Sequence, residues 1–237
     1  MAAAGQPTLA VDVVLLTVRD EDLKVLLTRR REQPYRDHWT LPGSLVRVDE
    51  ELDAAASRAL QDKAGLKGVY LEQLHTFGAV DRDPRARVVS VAHYALVASA
   101  RAAAAVHAED ARWFSVREEV PDLPVGFDHT EILRHAVARI RARLEHVPIA
   151  FQLLPEAFTL TELQRVYEVI LDKRLDKRNF RSKMLASGTL ALAPGRRVAV
   201  GRPARLYRFV AQGEMGLAFG PANRRSRARK AAPEDEG

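Results

Sequence analysis

The chain has 237 residues, enough for one large domain or two modest ones. Hydrophobic residues make up 47% of it, yet no apolar run reaches the roughly 18–20 residues that cross a bilayer. The start, MAAAGQPTLAVDVV, has no basic residue before its apolar segment, so it is not typical of a secretory signal. Cysteine is absent, which excludes disulfides and thiolate metal sites. We therefore expect a cytoplasmic protein with no membrane partner.

The net charge of +6 is unevenly distributed along the chain. Residues 1–146 carry 20 Lys and Arg against 22 Asp and Glu, whereas residues 147–237 carry 17 against 9. The first part therefore has a net charge of −2 and the second a net charge of +8. Concentrated basic charge suggests a polyanion partner for the second part. Arginine-rich surfaces are also common in proteins from GC-rich genomes, and charge alone leaves these two interpretations about even.

The first part alternates segments typical of strands with segments typical of helices. Residues 11–18 and 24–28 are β-branched and aliphatic runs around the turn-like RDEDL, which predicts a hairpin. Apolar residues at helical spacing predict helices at about 49–65 and 128–144. Further strands are predicted at residues 88–98 and 112–114. This alternation predicts an α/β domain.

The first predicted helix and the loop before it, residues 41–66, read LPGSLVRVDEELDAAASRALQDKAGL. They follow most of a pattern in which a glycine and a glutamate precede a helix ending R-E-U-x-E-E-x-G-U, where U is apolar. The positions that agree are Glu50, Arg58, Leu60, Gly65 and Leu66. The positions that differ are Ser44 at the first glycine, with Gly43 one place early, and Ala59, Asp62 and Lys63 at the three helical glutamates. The stretch resembles a degenerate Nudix box.

The resemblance implies that the three missing glutamates are the family's magnesium ligands. Hard divalent cations need clustered oxygen anions, and diphosphate hydrolysis needs the cation to neutralise developing charge. Here Ala59 supplies a methyl group and Lys63 an ammonium. We therefore predict that the chain is not an enzyme, has no catalytic residues, no metal and no required cofactor, and binds a Nudix-type ligand without cleaving it. Asp62 could keep a weak, water-mediated metal contact, and Lys63 could either attract a diphosphate or close the old metal cavity.

The second part contains two amphipathic segments separated by a short break, which is a helix-turn-helix signal. Thr161 heads a weak capping sequence with Gln164 and begins the first helix. Asp176 can cap a second helix that runs through Ala186. Downstream, TLALAPGRRVAVGRPARLYRF predicts short strands with turns at residues 194–195 and at Gly-Arg-Pro, so that a β wing follows the helices.

The second of these helices divides into an apolar side and a side of cations and amides. Arginine can pair with guanine edges and asparagine with adenine, while lysine and arginine also bind phosphates. An ordinary solvated surface helix is the alternative, and a basic helix alone would favour it. The capped helix before it and the basic wing after it favour DNA binding instead. The predicted DNA contacts are Lys177, Arg178, Asn179, Arg181 and Lys183 on the helix, and Arg196 and Arg197 at the wing tip.

The two parts together resemble the NrtR family of Nudix-related transcriptional regulators of NAD metabolism. Matching stretches include HWTLPG, YLEQLHTFGAVDRDPRARVVSVAHYALV and LLPEAFTLTELQRVYEVILDKRLDKRNFRSKML. The resemblance implies an α/β/α Nudix sandwich at residues 1–147, which senses ADP-ribose or a related NAD-derived nucleotide, and a winged helix-turn-helix domain at 148–221. It also implies a homodimeric repressor that binds a palindromic operator in double-stranded DNA near genes for NAD synthesis or salvage.

Candidate ligand-binding residues lie in the first part. Arg82 and Arg85, in AVDRDPRARVV, would present guanidinium groups to a diphosphate, although a salt-bridged surface turn is the alternative. Arg29 follows a strand and approaches the same end of the predicted sheet. Phe77 could stack on an adenine, although such an aromatic is more often part of the core. Gly43, beside the box, completes the predicted set.

Two other functions stay open on the residues alone. One is an active Nudix pyrophosphohydrolase with an accessory nucleic-acid-binding domain. The other is a non-enzymatic nucleic-acid module without sequence preference. Residues 222–237 are small, basic and then acidic, which predicts a disordered tail that cannot form a core.

Overall fold

The computed structural model describes residues 6–104, 110–144, 148–197 and 203–210. Within these ranges the strands are β1 (Thr8–Arg19), β2 (Asp22–Arg29), β3 (Trp39–Thr40), β4 (Gly43–Leu45), β5 (Tyr70–Phe77), β6 (Val88–Leu96), β7 (Ala111–Ser115), β8 (Leu190–Arg197) and β9 (Ala204–Phe209). The α-helices are α1 (Leu52–Ala64), α2 (Ser99–Ala104), α3 (His129–Arg143), α4 (Leu160–Leu171) and α5 (Lys177–Ala186), and short 3₁₀ helices lie at Val120–Asp122 and Pro148–Leu153. Residues 222–237, which were predicted to be disordered, lie outside the described ranges.

One mixed sheet organises the first part of the chain. Its strand order is β3-β2-β1-β6-β5, with β4 also paired to β1 and β7 to β2. The predicted hairpin is confirmed, since β1 and β2 pair antiparallel with Leu16 opposite Val25. β1 and β6 are parallel neighbours in the middle of the sheet. The edge strand β5 was not predicted, because its sequence, YLEQLHTF, shows little alternation of apolar and polar residues.

Alternate side chains of β1 enter two apolar clusters, because successive residues of a strand point to opposite faces. The smaller cluster joins β1 to α1 through Val11, Val13, Leu15, Ala55, Ala56, Ala59 and Leu60. The larger cluster joins β1 to α3 through Val14, Leu16, Ile132, Ala136 and Ile140. Helices therefore cover both faces of the sheet, which confirms the predicted α/β/α arrangement.

The larger cluster continues from the sheet into the second part of the chain. Leu144 at the end of α3 and Ile149 and Phe151 in the 3₁₀ helix connect it to α4 and α5. In α5, Phe180 and Met184 are its buried members. The two parts of the chain therefore share one continuous apolar core rather than two separate ones.

The second part forms the predicted helix-turn-helix and wing. α4 and α5 are separated by residues 172–176, and β8 and β9 pair antiparallel as a two-stranded sheet. The turn predicted at residues 194–195 is wrong, because both residues lie inside β8. There the register shifts between Leu192 and Arg196, and Gly195 adopts a φ of 87° that glycine accommodates. The expected Gly-Arg-Pro turn begins in residues 198–202, which lie outside the described ranges.

The first helix of the pair begins two residues earlier than predicted. Its cap is Thr159 rather than Thr161: the Thr159 hydroxyl accepts from Glu162 N at 3.2 Å, and the Glu162 carboxylate accepts from Thr159 N at 2.7 Å. This is a complete capping box, which satisfies two otherwise unpaired donors. The predicted cap of the second helix is confirmed, since Asp176 accepts from Asn179 N at 2.7 Å.

No helix within the described ranges is both long enough and apolar enough to cross a membrane.

Replacing Thr159 with alanine should lower the free energy of unfolding by about 1 kcal/mol, because the first turn of α4 loses its side-chain acceptor. Urea denaturation followed by circular dichroism measures this loss. Thr161→Ala is the matched control, since Thr161 is exposed and makes no cap; its effect should stay within about 0.5 kcal/mol. Equal losses in the two variants would contradict the observed cap.

Candidate functional site

A pocket of about 690 Å³ opens where β1 and β4 meet the loops around residues 29–32, 82–86 and 126–129. Pockets of roughly 300–1,000 Å³ accommodate small-molecule ligands and cofactors. Four of the five predicted ligand residues, Arg29, Gly43, Arg82 and Arg85, line it. The fifth, Phe77, does not. It is buried in the larger apolar cluster, where its ring lies edge-on to those of His75 and His135.

A buried ion cluster forms one wall of the pocket. Arg82 Nη2 lies 3.2 Å from Asp12 Oδ2 and 2.7 Å from Asp128 Oδ1, and Arg82 Nε donates to Asp128 Oδ2 at 2.8 Å. The Arg82 side chain is only 4% exposed. Its guanidinium is therefore already engaged by two carboxylates. We assign Arg82 to fixing the pocket wall rather than to contacting a ligand directly.

Asp12 is a charged carboxylate in the interior of the protein. Burial raises its pKa, but the His129 ring, the Ser90 hydroxyl and the Arg82 guanidinium outweigh burial and lower the pKa to about 2. Ser90 Oγ donates to Asp12 Oδ2 at 2.6 Å. His129 Nδ1 accepts from Leu41 N at 2.9 Å, and His129 Nε2 lies 3.4 Å from Asp12 Oδ1. The cluster thus joins β1, β6, the loop before β4 and the start of α3.

Gly43 is required by the close approach of β4 to β1. A Cβ at this position would lie 2.4 Å from Asp12 Oδ1 and 2.8 Å from Val11 O. Both distances are shorter than Cβ atoms adopt to non-bonded atoms in proteins. Any side chain at residue 43 would therefore push β4 away from the buried carboxylate. Gly43 was predicted as a ligand residue only because it lies beside the box. The structure adds a steric reason for glycine at this position, which is the close packing of β4 on β1.

An aromatic ring and two guanidinium groups lie beside the ion cluster. The Phe127 ring, which lines the pocket, has its centroid 5.0 Å from Arg30 Cζ and 5.8 Å from Arg85 Cζ. Arg85 also binds Asp83 at 2.7 Å, and its hydrogen bonds lower the pKa of that carboxyl. Such a surface suits stacking of a planar base and pairing with phosphate oxygens. Phe127 was not among the predicted ligand residues, since a single aromatic before a helix carries no recognisable signal.

The matching positions of the box keep a structural role. Glu50 accepts from Arg58 Nε and Nη2 at 2.7 Å each, and Arg58 Nη2 also donates to Leu45 O at 3.0 Å. These hydrogen bonds lower the pKa of Glu50 to about 2. The pair fastens the β4 loop to α1, and Gly65 ends α1 in the left-handed conformation with φ 67°.

The remaining box positions do not form a cation site. Ala59 is 1% exposed and belongs to the smaller apolar cluster, whereas Asp62 and Lys63 are exposed and line the pocket. Within residues 6–104, 110–144, 148–197 and 203–210, no three His, Asp or Glu side chains gather as a metal-binding group. A methyl, one carboxylate and an ammonium do not suit the divalent cation that a complete Nudix box implies.

The second candidate surface is the basic face of the winged helix. Lys177, Arg178 and Asn179 are exposed on α5, opposite its buried Phe180 and Met184. The other two predicted contacts of this helix are half-buried: Arg181, whose Nη2 lies 3.2 Å from Thr161 Oγ1, and Lys183.

The two wing arginines differ in their surroundings. Arg196 is exposed. Arg197 pairs with the capping residue Glu162, and its Nη2 donates to Ala157 O at 3.1 Å. Arg197 ends β8 opposite Ala204, beside the turn of the wing as predicted, but its side chain ties the wing to the start of α4. Arg196 is the better candidate for a DNA contact from the wing.

Two protein families match the chain. The NUDIX domain matches residues 7–136, and the NrtR DNA-binding winged helix domain matches residues 150–209. The chain is 37% identical over 209 residues to a protein of Acinetobacter baylyi described as an ADPR responsive transcriptional repressor, NtrR. That match covers 87% of this chain and 83% of the relative.

Solved structures of an NrtR protein also resemble this chain. The crystal structure of Shewanella oneidensis NrtR complexed with a 27mer DNA matches with a TM-score of 0.79 and 34% identity, over 85% of this chain and 93% of that one. The Nudix domain of that NrtR, complexed with ADP ribose, matches with 33% identity and a TM-score of 0.50, over 57% of this chain and 89% of that one.

An enzyme is also among the relatives. An ADP-ribose pyrophosphatase of Methanocaldococcus jannaschii is 30% identical over 128 residues, which cover 54% of this chain and 72% of the relative. That match covers a smaller share of this chain than the matches to the repressor and to NrtR. Because the matches to the repressor and to NrtR extend over most of the chain, and the NrtR winged helix domain matches its second part, the protein belongs to the NrtR family of Nudix-related transcriptional regulators.

Proposed function

We propose that this chain is an ADP-ribose-responsive transcriptional repressor that acts in the cytoplasm as a homodimer on a palindromic operator. Its Nudix unit, residues 1–147, holds the nucleotide, and its winged helix-turn-helix unit, 148–221, binds the DNA. Genes for NAD synthesis or salvage are the proposed targets. One observation carries the proposal: a nucleotide-sized pocket and a basic recognition helix are built on one continuous apolar core.

The pocket provides chemistry suited to the adenine and to the diphosphate of ADP-ribose. Phe127, flanked by Arg30 and Arg85, offers a stacking surface for the adenine. Arg29 and Arg85 are more than half exposed and can present donors to the diphosphate. Arg82 and Gly43 fix the wall behind them, as described above. A related NAD-derived nucleotide with the same adenine and diphosphate would meet the same groups.

Helix α3 connects the pocket to the DNA-binding unit. It begins directly after Phe127 and Asp128 at the pocket, and near its other end Arg141 Nε donates to Ile170 O of α4 at 2.7 Å. Arg165 of α4 also lies 3.0 Å from Glu21, in the turn between β1 and β2. A ligand shifts a conformational equilibrium only if it binds one state more tightly. We infer that nucleotide bound against Phe127 biases the position of α3, and through it the position of α4 and α5.

The damaged Nudix box argues that the chain holds the nucleotide without cleaving it. Ala59 is buried among apolar side chains and Lys63 is a cation, so Asp62 is the carboxylate left of the three ligand positions. The pyrophosphatase relative makes hydrolysis the alternative to test.

Incubation of the purified chain with ADP-ribose and Mg²⁺ should release no AMP above the rate in buffer, because the ligand set cannot hold the cation that the reaction needs. Chromatographic separation of AMP from ADP-ribose measures this. Mn²⁺ in place of Mg²⁺ repeats the test with a second cation. Robust turnover with either ion would establish the hydrolase instead.

Arg178→Ala should weaken binding to a DNA fragment from the chain's own upstream region by about tenfold or more, since one good base contact is worth about 1–3 kcal/mol. Fluorescence anisotropy at fixed salt measures the affinity. Loss at particular base pairs assigns Arg178 to base reading, and uniform weakening with a shallower salt slope assigns it to phosphates.

The control for this experiment is Arg134→Ala, which removes the same charge from an exposed position on α3, outside the winged helix. Its affinity for the DNA should stay close to that of the unaltered chain. If Arg178→Ala binds as well as the control does, α5 is not the recognition helix.

Arg85→Ala should weaken ADP-ribose binding by about tenfold, because a hydrogen bond to a charged group contributes about 1.5–3 kcal/mol. Isothermal titration calorimetry measures this. Arg87→Ala is the matched control: Arg87 lies in the same loop and donates to Ala79 O at 2.9 Å, but it does not line the pocket. Equal affinities for the two variants would place the nucleotide elsewhere.

A further inference from the structure

The part of the Nudix box that lines the pocket carries other side chains than the Nudix pattern has at these positions. Asp62 and Lys63 line the pocket at the end of α1, and Ser44 lines it from β4. We propose that Lys63, assisted by Ser44, takes the place of the divalent cation, so that this protein binds its nucleotide diphosphate without a metal ion. The inference rests on the proposed function and specifies how that site holds its anionic ligand.

The charges that line the pocket give the first argument. Its cations are Arg29, Arg30, Arg31, Lys63, Arg82 and Arg85, and its carboxylates are Asp12, Glu32, Asp62, Asp83 and Asp110, a net charge of +1. A glutamate at position 63, as in the Nudix pattern, would make this net charge −1. The residue at position 63 therefore changes by two units the net charge that a diphosphate meets in the absence of a bound cation.

The pairing of these charges strengthens the argument. Arg82 is bound to Asp12 and Asp128, Arg85 to Asp83, and Arg29 to Asp37 at 3.0 Å. Lys63, by contrast, forms no ion pair with a carboxylate among the residues that the structure describes. Its ammonium is a compact point charge on a flexible stem, which can reach an anion without breaking an existing ion pair.

Ser44 gives an independent second observation. Its Oγ is buried and has no hydrogen-bond partner among the described residues, although it belongs to the lining of the pocket. A buried hydroxyl without a partner is costly, unless a ligand supplies the missing hydrogen bond. The Nudix pattern has glycine here, so this chain adds a donor where the pattern has none.

Lys63 and Ser44 both replace what the Nudix pattern has with a hydrogen-bond donor. A magnesium site needs oxygen acceptors, whereas a phosphate site needs donors and positive charge. Lys63 replaces an acceptor with a charged donor, and Ser44 adds a neutral donor on the facing strand. Ala59, buried in the apolar cluster, contributes no ligand of either kind.

The test is isothermal titration calorimetry of ADP-ribose into the full chain, once with Mg²⁺ and once with EDTA. The unaltered protein should bind with the same affinity, within about twofold, under both conditions, because no cation takes part. Lys63→Met should bind about tenfold more weakly under both conditions, because the charged donor is lost.

Lys63→Glu supplies the sharper variant. It should bind more weakly still in EDTA, and Mg²⁺ or Mn²⁺ should restore part of the loss, since a glutamate at this position, next to Asp62, recreates an acidic pair. Lys67→Glu is the matched control: Lys67 is exposed, lies shortly after the end of α1 and does not line the pocket. This control makes the same change in charge and should leave affinity and metal response unchanged.

The outcomes separate this inference from the proposed function. Binding by the unaltered chain that requires Mg²⁺, or full affinity in Lys63→Met, overturns metal-independent binding and leaves the repressor intact. Absence of ADP-ribose binding under both conditions overturns the proposed effector and this inference with it. Circular dichroism of each variant verifies that these exposed substitutions leave the fold unchanged.

Discussion

The buried ion cluster of Arg82, Asp12 and Asp128 is the interaction on which the rest of the structure depends. It joins the central strand β1, the loop before β6 and the residue that precedes α3. Removing one partner from such a cluster leaves an uncompensated buried charge, which costs about 3–5 kcal/mol. Because Gly43 contacts the same Asp12, the cluster also sets the position of β4 and the box behind it. The pocket and the start of α3 are therefore fixed by one set of charges.

Local patterns predicted those parts of the fold whose causes are local. The β1–β2 hairpin, the end of α1 near Gly65 and the cap of α5 at Asp176 each follow from residues a few positions apart. Distant contacts explain what was missed. Arg197 lies beside the turn of the wing, but its partner Glu162 is 35 residues earlier and belongs to a cap that begins two residues before the predicted one.

The site shows the same limit more strongly. The box and its missing carboxylates could be read from spacing alone, and four of the five predicted ligand residues do line the pocket. Their roles could not be read in this way. Arg82 has the residue type of a phosphate ligand, yet its partners lie 70 and 46 residues away, and only the folded chain brings them together. Phe77 and Phe127 are equivalent as residue types, and tertiary packing places one in the core and the other in the pocket.

A domain of enzyme-like fold that acts as a sensor has two physical requirements. It must bind the ligand without cleaving it, and ligand binding must change the position of the DNA-binding unit. A pocket that loses carboxylate ligands no longer activates water, but it would also lose the cation that holds the diphosphate. Donors at the same positions remove this conflict, since they retain the anion without supplying catalysis. Transmission then requires that the ligand contact a rigid element, and Phe127 meets this need because α3 starts two residues after it and packs on α4 within one core. The box residues lie on α1 and β4 rather than on α3, so sequence changes at the box can alter affinity without changing the helix that connects the pocket to the DNA-binding unit.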